Sequence, residues 1–285
     1  MSQQLDSKQY IEKQRQDWNR VAPAWEKWDQ YLDHNLAFVS HRMVGDARLR
    51  HGQRVLDLGC GTGYPSILAA QIVGNQGEVV GLDLSEAMLT VARKKAEELG
   101  LLNMRFQAAD ITNLQFEPAS FDAVISRFCL MFLPEIPMAV KEIARVLRPG
   151  GYVVAAVWST PDKNPFIRIP MEAIKRYIDV PQPSPGQPGI FRLSKSGDLI
   201  GMMKEAGLLG LTDEEITGES LFGSAEEYLV NIKELAAPLQ ALFTKLTSEQ
   251  KHEVDEAIKN AVKQYQQGDK ILLPMAFRIV SSRKP

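Results

Sequence analysis

Cysteine is scarce in this chain. Cys60 and Cys129 are the only two, and neither stands at a metal-ligand spacing or beside a histidine cluster. Neither a disulfide framework nor a metal site is expected. Histidine is scarce too, with four residues, at positions 34, 41, 51 and 252. No apolar run reaches the ~18 residues that cross a bilayer, and the first thirty residues are polar and charged, unlike a secretory signal. Charge of one sign is lacking: 33 basic residues face 35 acidic ones, which leaves no electrostatic footprint for nucleic acid. Together these absences argue against a secreted disulfide scaffold, a membrane span and a nucleic-acid partner. The expectation is a cytoplasmic protein, monomer or homodimer, whose partner is a small molecule. Hydrophobic residues make up 45% of the 285, enough for a sizeable core.

From residue 54 to 157 short apolar runs alternate with helical periodicity. RVLDLG (54–59), EVVGLDL (78–84), MRFQAAD (104–110), FDAVISRF (121–128) and GYVVAAVW (151–158) read as strands covered on both faces. Ser85 is placed to cap a helix whose Met88, Val91, Ala92 and Leu99 share one face, and Pro137 opens another that RPGG (148–151) stops. Such alternation predicts an α/β, doubly wound, mostly parallel sheet with right-handed crossovers. Beyond Trp158 the pattern changes. Seven prolines fall between 159 and 190, around one helix expected at 166–178. A helix near 196–206, a strand near 211–217, a charged helical stretch over 224–266 and a closing strand over 270–284 follow, with Pro274 marking an edge or bulge. Four segments are expected: an N-terminal helical lid (1–50), a binding core (51–158), a Pro-rich insertion with a helix (159–210), and the last strands carrying a helical cap insertion at 218–269 (211–285).

The stretch VLDLGCGTGYPS (55–66) carries Gly59, Gly61 and Gly63 at the end of the first strand, where open parallel sheets bind ligands. Glycines there let backbone approach a ligand and take positive φ. The dinucleotide fingerprint needs a third glycine where Tyr64 stands, and Asp57 beside the turn is a poor neighbour for a pyrophosphate. A ligand carrying an ammonium group suits that carboxylate, which favours S-adenosylmethionine over NAD. Asp83 ends the second strand and can accept from ribose hydroxyls. Asp110 ends the third, where its carboxylate and the N–H of Ile111 can meet an adenine edge. Each has a plain structural reading as well: a tight turn for the glycines, a cap for Asp83 or Asp110, a solvated strand-end charge for Arg127.

VLDLGCGTG, GLDLSEAML, AADITNLQF, FDAVISRF and RVLRPGGYVV together resemble the successive motifs of class I S-adenosylmethionine-dependent methyltransferases, small-molecule type, close in style to those of ubiquinone and menaquinone biosynthesis. The resemblance covers residues 50–158. It implies a Rossmann-like seven-stranded sheet with lid and cap, S-adenosylmethionine as methyl donor and S-adenosylhomocysteine as product. Asp57, Gly59, Gly61 and Gly63 would hold the donor's methionine part, and Asp83 the ribose, with Leu84 and Met88 beside the adenine. Asp110 and Ile111 would grip the adenine edge, while Ser126, Arg127 and Phe128 would border the transferring methyl. About fifty residues separate the last two strand candidates, where the family usually has a tight pair.

Trp18, Trp25 and Trp28 form a stripe near the N-terminus, interrupted by Pro23. It reads either as a helix packed on the core or as a lid walling the acceptor. Trp25, Trp28, Phe128 and Trp158 are the expected acceptor-pocket residues. His34 is the one candidate base, since no His/Asp dyad is legible. The expected reaction moves a methyl group to an O, N or C nucleophile of a small, partly apolar metabolite, mainly by proximity and desolvation. An NAD-dependent oxidoreductase and a non-catalytic donor-binding regulatory module are the alternatives.

Overall fold

A computed structural model describes residues 6–180 and 186–285. Three of the insertion's prolines, at 181, 183 and 185, lie outside the described residues. The chain opens with two helices, α1 (Ser7–Lys27) and α2 (Asp29–Asp46). An alternating run follows: β1 (Arg54–Leu58), α3 (Ser66–Val73), β2 (Glu78–Asp83), α4 (Glu86–Glu98), β3 (Met104–Ala108), β4 (Phe121–Arg127), α5 (Ile136–Val146) and β5 (Leu147–Trp158). Then come α6 (Pro165–Ile174), α7 (Asp198–Glu205), β6 (Leu209–Phe222), α8 (Ala225–Leu235), α9 (Ala237–Phe243), α10 (Ser248–Val262), the two-residue β7 (Gln266–Gln267) and β8 (Lys270–Arg283).

The sheet runs β3-β2-β1-β4-β5-β8-β6, with β7 paired to β8 off that path. The first five strands are parallel, and β8 runs antiparallel to both neighbours. This is the doubly wound, mostly parallel arrangement expected from the alternation, with the seven strands that the resemblance implies on its main path and the order of the last strands now fixed. Its core is made of residues that the strands bury on both faces, such as Val55, Leu56, Val124, Ile125 and Val154, all at 0% exposure. Each such aliphatic side chain contributes roughly 1.5–3 kcal/mol by leaving water. Ser85 caps α4 as expected, its Oγ accepting from the N–H of Met88 at 3.1 Å.

Two features differ from the sequence reading. Helix α1 continues through Pro23 instead of breaking there. Proline removes one helical N–H, yet the last turn holds because the N–H of Trp28 still reaches Ala24 O, and the chain turns only at Trp28. The strand expected at 211–217 runs twice as far, to Phe222, paired with β8 from Thr212↔Ser281 to Phe222↔Ile271. β5 stops at Trp158↔Phe277. Past that point β6 and β8 continue as a two-stranded arm, and Pro274 is tolerated because β8 has lost its β5 neighbour there. The arm carries α8, α9 and α10, which bury a second apolar cluster around Phe222, Tyr228, Ile232, Val254 and Leu273. Helix α2 is tied to the arm: Tyr31 Oη and Ser220 Oγ lie 2.5 Å apart, and the N–H of Leu221 donates to Asn35 Oδ1 at 2.7 Å. No helix among the described residues is long and apolar enough to cross a membrane.

Candidate ligand-binding cleft

At the carboxyl ends of β1, β2, β3 and β4 the sheet opens into a cleft of about 1040 Å³, counting the part open to solvent. Its floor is the turn after β1 and the strand ends at Asp83, Leu84, Asp110, Ile111 and Arg127. Its roof is one face of α1, with Tyr10, Gln14, Trp18 and Trp25 spaced by four, four and seven residues. Met88 closes one wall, and Phe128 with Phe132, Leu133 and Pro134 forms another.

The roof is fastened on both sides. Asn19 Oδ1 accepts from Ser85 Oγ at 2.7 Å and from the N–H of Ala87 at 3.3 Å, so α1 helps to cap α4. On the other side Trp25 Nε1 donates to Leu235 O at 3.2 Å, and Trp28 Nε1 donates to Glu234 Oε2 at 2.6 Å. Trp18 meets Trp25 and Phe132 edge to face, with centroids 6.0 and 5.8 Å apart.

The glycine turn is shaped by close approach. Gly59 has φ 71°, and a Cβ there would lie 2.4 Å from Cβ and Sγ of Cys129. Gly61 has φ 53°, but a Cβ there meets nothing within 4 Å: it would enter the space of the cleft. Asp83 accepts from the N–H of Gly61 through Oδ2 and from that of Ser85 through Oδ1, both at 2.9 Å, so it braces the turn from the second strand. Burial raises its pKa, and those backbone donors oppose the rise. Asp110 Oδ1 accepts from the N–H and Oγ1 of Thr112, at 2.9 and 2.8 Å. It thus caps its own turn while the residue lines the cleft.

Several residues expected in contact with ligand lie behind the cleft wall instead. Asp57 is completely buried under the turn, with Ser66 Oγ donating to Oδ2 at 2.5 Å and Oδ1 without a partner. Burial pushes its pKa up to about 7, against the hydrogen bond from Ser66 and the charge of Arg127. Ser126 is 1% exposed and donates to Leu58 O at 2.9 Å, locking β4 to β1. A Cβ on Gly63 would point at Ile67 and Ala92, not at the cleft. Trp158 stacks behind Phe128 with centroids 4.2 Å apart and planes 5° apart. Trp28 faces Glu234 of α8, not the cleft. His34 lies on the exposed side of α2 and does not line the cleft, which corrects its candidacy as base. Gly59, Gly61, Asp83, Leu84, Met88, Asp110, Ile111, Arg127, Trp25 and Phe128 do line it.

Phe128 takes φ 56°, a left-handed turn that costs a non-glycine residue about 1–2 kcal/mol. Its N–H donates to Ala156 O at 2.8 Å, and its ring lies against Trp158 on one face and Phe277 edge-on. Those contacts hold the turn that swings the chain from β4 across the cleft. Sequence reasoning missed Tyr10, Gln14, Tyr64 and the segment Phe132–Pro134. Tyr10, Gln14 and Trp18 were legible only as one helical stripe, once α1 is known to start at Ser7.

Comparison with known proteins bears on the domain and the fold. A family model described as a methyltransferase domain matches residues 49–178. A demethylmenaquinone methyltransferase of Staphylococcus aureus is 39% identical over 140 residues, 47% of this chain and 57% of that protein. The chain therefore matches little more than half the length of that relative. Among solved structures, phosphoethanolamine N-methyltransferase 2 of Haemonchus contortus, bound to phosphomonomethylethanolamine and S-adenosylhomocysteine, superposes with a TM-score of 0.56 at 18% identity, over 100% of this chain and 61% of that one. The [4+2]-cyclase SpnF superposes with a TM-score of 0.51 at 23% identity, over 87% of this chain and 80% of that one. At such identities the structural likeness speaks to fold alone. Residues 49–178 are thus similar to a methyltransferase domain, and over 140 residues the chain is similar to a demethylmenaquinone methyltransferase.

Proposed function

We propose that the protein is an S-adenosylmethionine-dependent methyltransferase acting on a small, partly apolar acceptor. The observation that carries this reading is the cleft over three successive strand ends. It offers an open glycine turn at Gly61, a braced carboxylate at Asp83, and the Asp110–Ile111 turn at the third strand. When bound, the donor supplies a methyl group on a sulfonium, open to in-line displacement. The chain's own residues supply placement. Gly59 and Gly61 admit the ligand close to backbone, and Asp83 presents its remaining lone pairs to a ribose. The carboxylate of Asp110 and the N–H of Ile111 lie at the position of an adenine edge, and Leu84 with Met88 packs beside the ring. This set also fits the group better than a dinucleotide: the site for a third glycine is Tyr64, whose ring lies under the ammonium of Lys95 at 4.1 Å.

The acceptor would lie between the α1 roof and the Phe128–Pro134 wall, among Tyr10, Trp18, Trp25 and Phe132. No histidine, aspartate or glutamate lines that end among the described residues. Alignment and exclusion of water by the aromatic roof then carry the rate, and the acceptor must arrive as a nucleophile that needs no protein carboxylate or imidazole. The relationship to demethylmenaquinone methyltransferases points to a ring carbon, oxygen or nitrogen on a flat apolar molecule. In domain terms, we assign 1–50 as lid, 51–158 as donor-binding core, and 159–210 with the helical insertion between the last two strands as the cap that holds the lid.

The test has two stages, because one fold-mate is a cyclase. Calorimetry with S-adenosylhomocysteine and with NAD asks which nucleoside binds, and saturable binding of NAD alone rejects the reading. Incubating metabolite extracts with donor labelled in the methyl group then asks for transfer by mass spectrometry. Donor binding with no labelled product in any extract would leave the non-catalytic module in its place.

A further inference from the structure

The segment Phe132–Pro134 walls the end of the cleft assigned above to the acceptor. Its side chains are apolar, and much of its main chain is already bonded. Arg192, from the Pro-rich insertion, donates through Nη1 to Leu133 O and through Nη2 to Pro134 O, the latter at 3.3 Å. The N–H of Gly189 donates to Met131 O at 3.1 Å. The N–H groups of Phe132 and Leu133 donate to Cys129 O and Leu130 O, at 2.9 and 3.2 Å, and Pro134 has none.

The α1 roof opposite is different. Several of its polar side chains pair with protein groups. Lys13 and Arg20 meet Asp17 at 2.5 and 2.9 Å, Glu12 accepts from Arg15 and Gln16, and Asn19 accepts from Ser85. The Nε1–H of Trp25 goes to Leu235 O. Tyr10 and Gln14 stand one turn apart among the residues that line the cleft, and neither side chain has a hydrogen-bond partner among the described residues. Both are half-buried, so both are open to a molecule in the cleft. Burial raises the pKa of the Tyr10 phenol, against the charge of Arg192, so at neutral pH it meets the cleft as an uncharged O–H. Gln14 offers one carbonyl acceptor and two N–H donors.

We propose that Gln14 and Tyr10 are specificity-determining residues for the acceptor: they hydrogen-bond a hydroxyl or carbonyl oxygen carried on its flat apolar body. The inference rests on the methyltransferase reading given above and names which groups of the lid choose the acceptor. The rings of Trp18, Trp25 and Phe132 favour any apolar ring system of suitable shape. The two polar groups discriminate, because a bare hydrocarbon covers them and returns no hydrogen bond in place of water, whereas an oxygen does. Recognition of the acceptor is thereby placed on α1, and recognition of the donor on the strand ends.

The test uses the full chain saturated with S-adenosylhomocysteine and two probes of one shape, 2-naphthol and 2-methylnaphthalene, with binding measured by equilibrium dialysis. Gln14→Leu removes the amide, and Tyr10→Phe removes only the hydroxyl. The affinity ratio of 2-naphthol to 2-methylnaphthalene is expected to fall by about 3- to 10-fold in each variant, the range of one neutral hydrogen bond, and further when the two are combined. The ratio is taken within one protein, so a general loosening of the lid, which weakens both probes alike, leaves it unmoved. A fall in one variant alone keeps the proposal for that residue and rejects it for the other. A fall of less than about threefold in both overturns the proposal, while binding of S-adenosylhomocysteine keeps the donor reading. A wild type that binds S-adenosylhomocysteine but neither probe overturns it as well. A wild type that binds no S-adenosylhomocysteine removes the donor reading and this inference with it. If one variant does not fold, which its melting curve without ligand reports, the other supplies the same readout.

Discussion

Asp57 offers a test of the site that needs no ligand. Its carboxyl is fully buried, accepts from the Ser66 hydroxyl and leaves Oδ1 without a partner. Burial lifts its pKa from 3.8 to about 7. The folded state therefore keeps a proton that the unfolded chain releases between about pH 4 and 7. Because the native state binds more protons in that window, stability falls as pH rises through it, and is flat on either side. A shift of about three units corresponds to about 4 kcal/mol. Asp57→Asn removes this titration. The Asn amide must place its NH₂ where Oδ1 finds no acceptor, or else lose the bond from Ser66, at a cost of roughly 1–3 kcal/mol. D57N is thus expected to be less stable than wild type at pH 4 and more stable at pH 8, with the two curves crossing between about pH 5 and 6. Urea unfolding at one-unit pH intervals measures this. The difference between the two proteins cancels the other titrating groups they share. Two parallel stability curves from pH 4 to 8 would refute the argument, because they would mean that Asp57 stays ionised in the fold.

Four further outcomes follow from the same geometry. Ser66→Ala removes the side-chain donor to Asp57, so stability should drop by about 1–3 kcal/mol above pH 7 and hardly change at pH 4, read by the same unfolding series. Gly59→Ala forces a Cβ onto Cys129 at φ 71°, and should cost about 2–4 kcal/mol in thermal or urea unfolding, with part of the loss recovered by adding Cys129→Gly. Gly61→Ala has open space for its Cβ and should cost only about 1 kcal/mol for its φ of 53°, yet reduce S-adenosylhomocysteine affinity at least about tenfold in calorimetry; unchanged affinity would put the ligand elsewhere. Glu234→Gln weakens the fastening of Lys27 and Trp28 to α8, and should leave global stability within about 1 kcal/mol while speeding amide exchange in α1.

The parts of this molecule that a sequence makes legible are those whose physics is local. The buried runs of β1, β2, β4 and β5, the Ser85 cap and the glycine turn all follow from burial on two faces, capping and positive φ, and their positions agree within a few residues. The arm of β6 and β8 was half hidden, because Gly218–Phe222 carry little strand patterning and are held as strand by β8 rather than by their own propensity. Direction was the least legible property. A helical stripe of tryptophans announces an apolar face, but Trp25 looks onto the cleft while Trp28, past the end of α1, looks at Glu234. Helix period alone does not tell a cap from a core or a cleft.

The same limit governs the charges at the strand ends. Asp57 and Arg127 are both polar residues closing a buried strand, and in sequence both look aimed at a ligand. In three dimensions the chain after β1 folds back over Asp57, because Ser66 opens α3 directly above it and hydrogen-bonds its carboxylate. The chain after β4 swings away at Phe128, anchored by Trp158, and leaves Arg127 uncovered. One carboxylate is sealed with an unmet acceptor, and one guanidinium faces the cleft with unmet donors. The sheet itself is common to transferases and to a cyclase of the same fold. What this chain can bind is therefore set by what the two turns expose, and a substitution at Gly61, unlike one in the core strands, is expected to separate ligand recognition from folding.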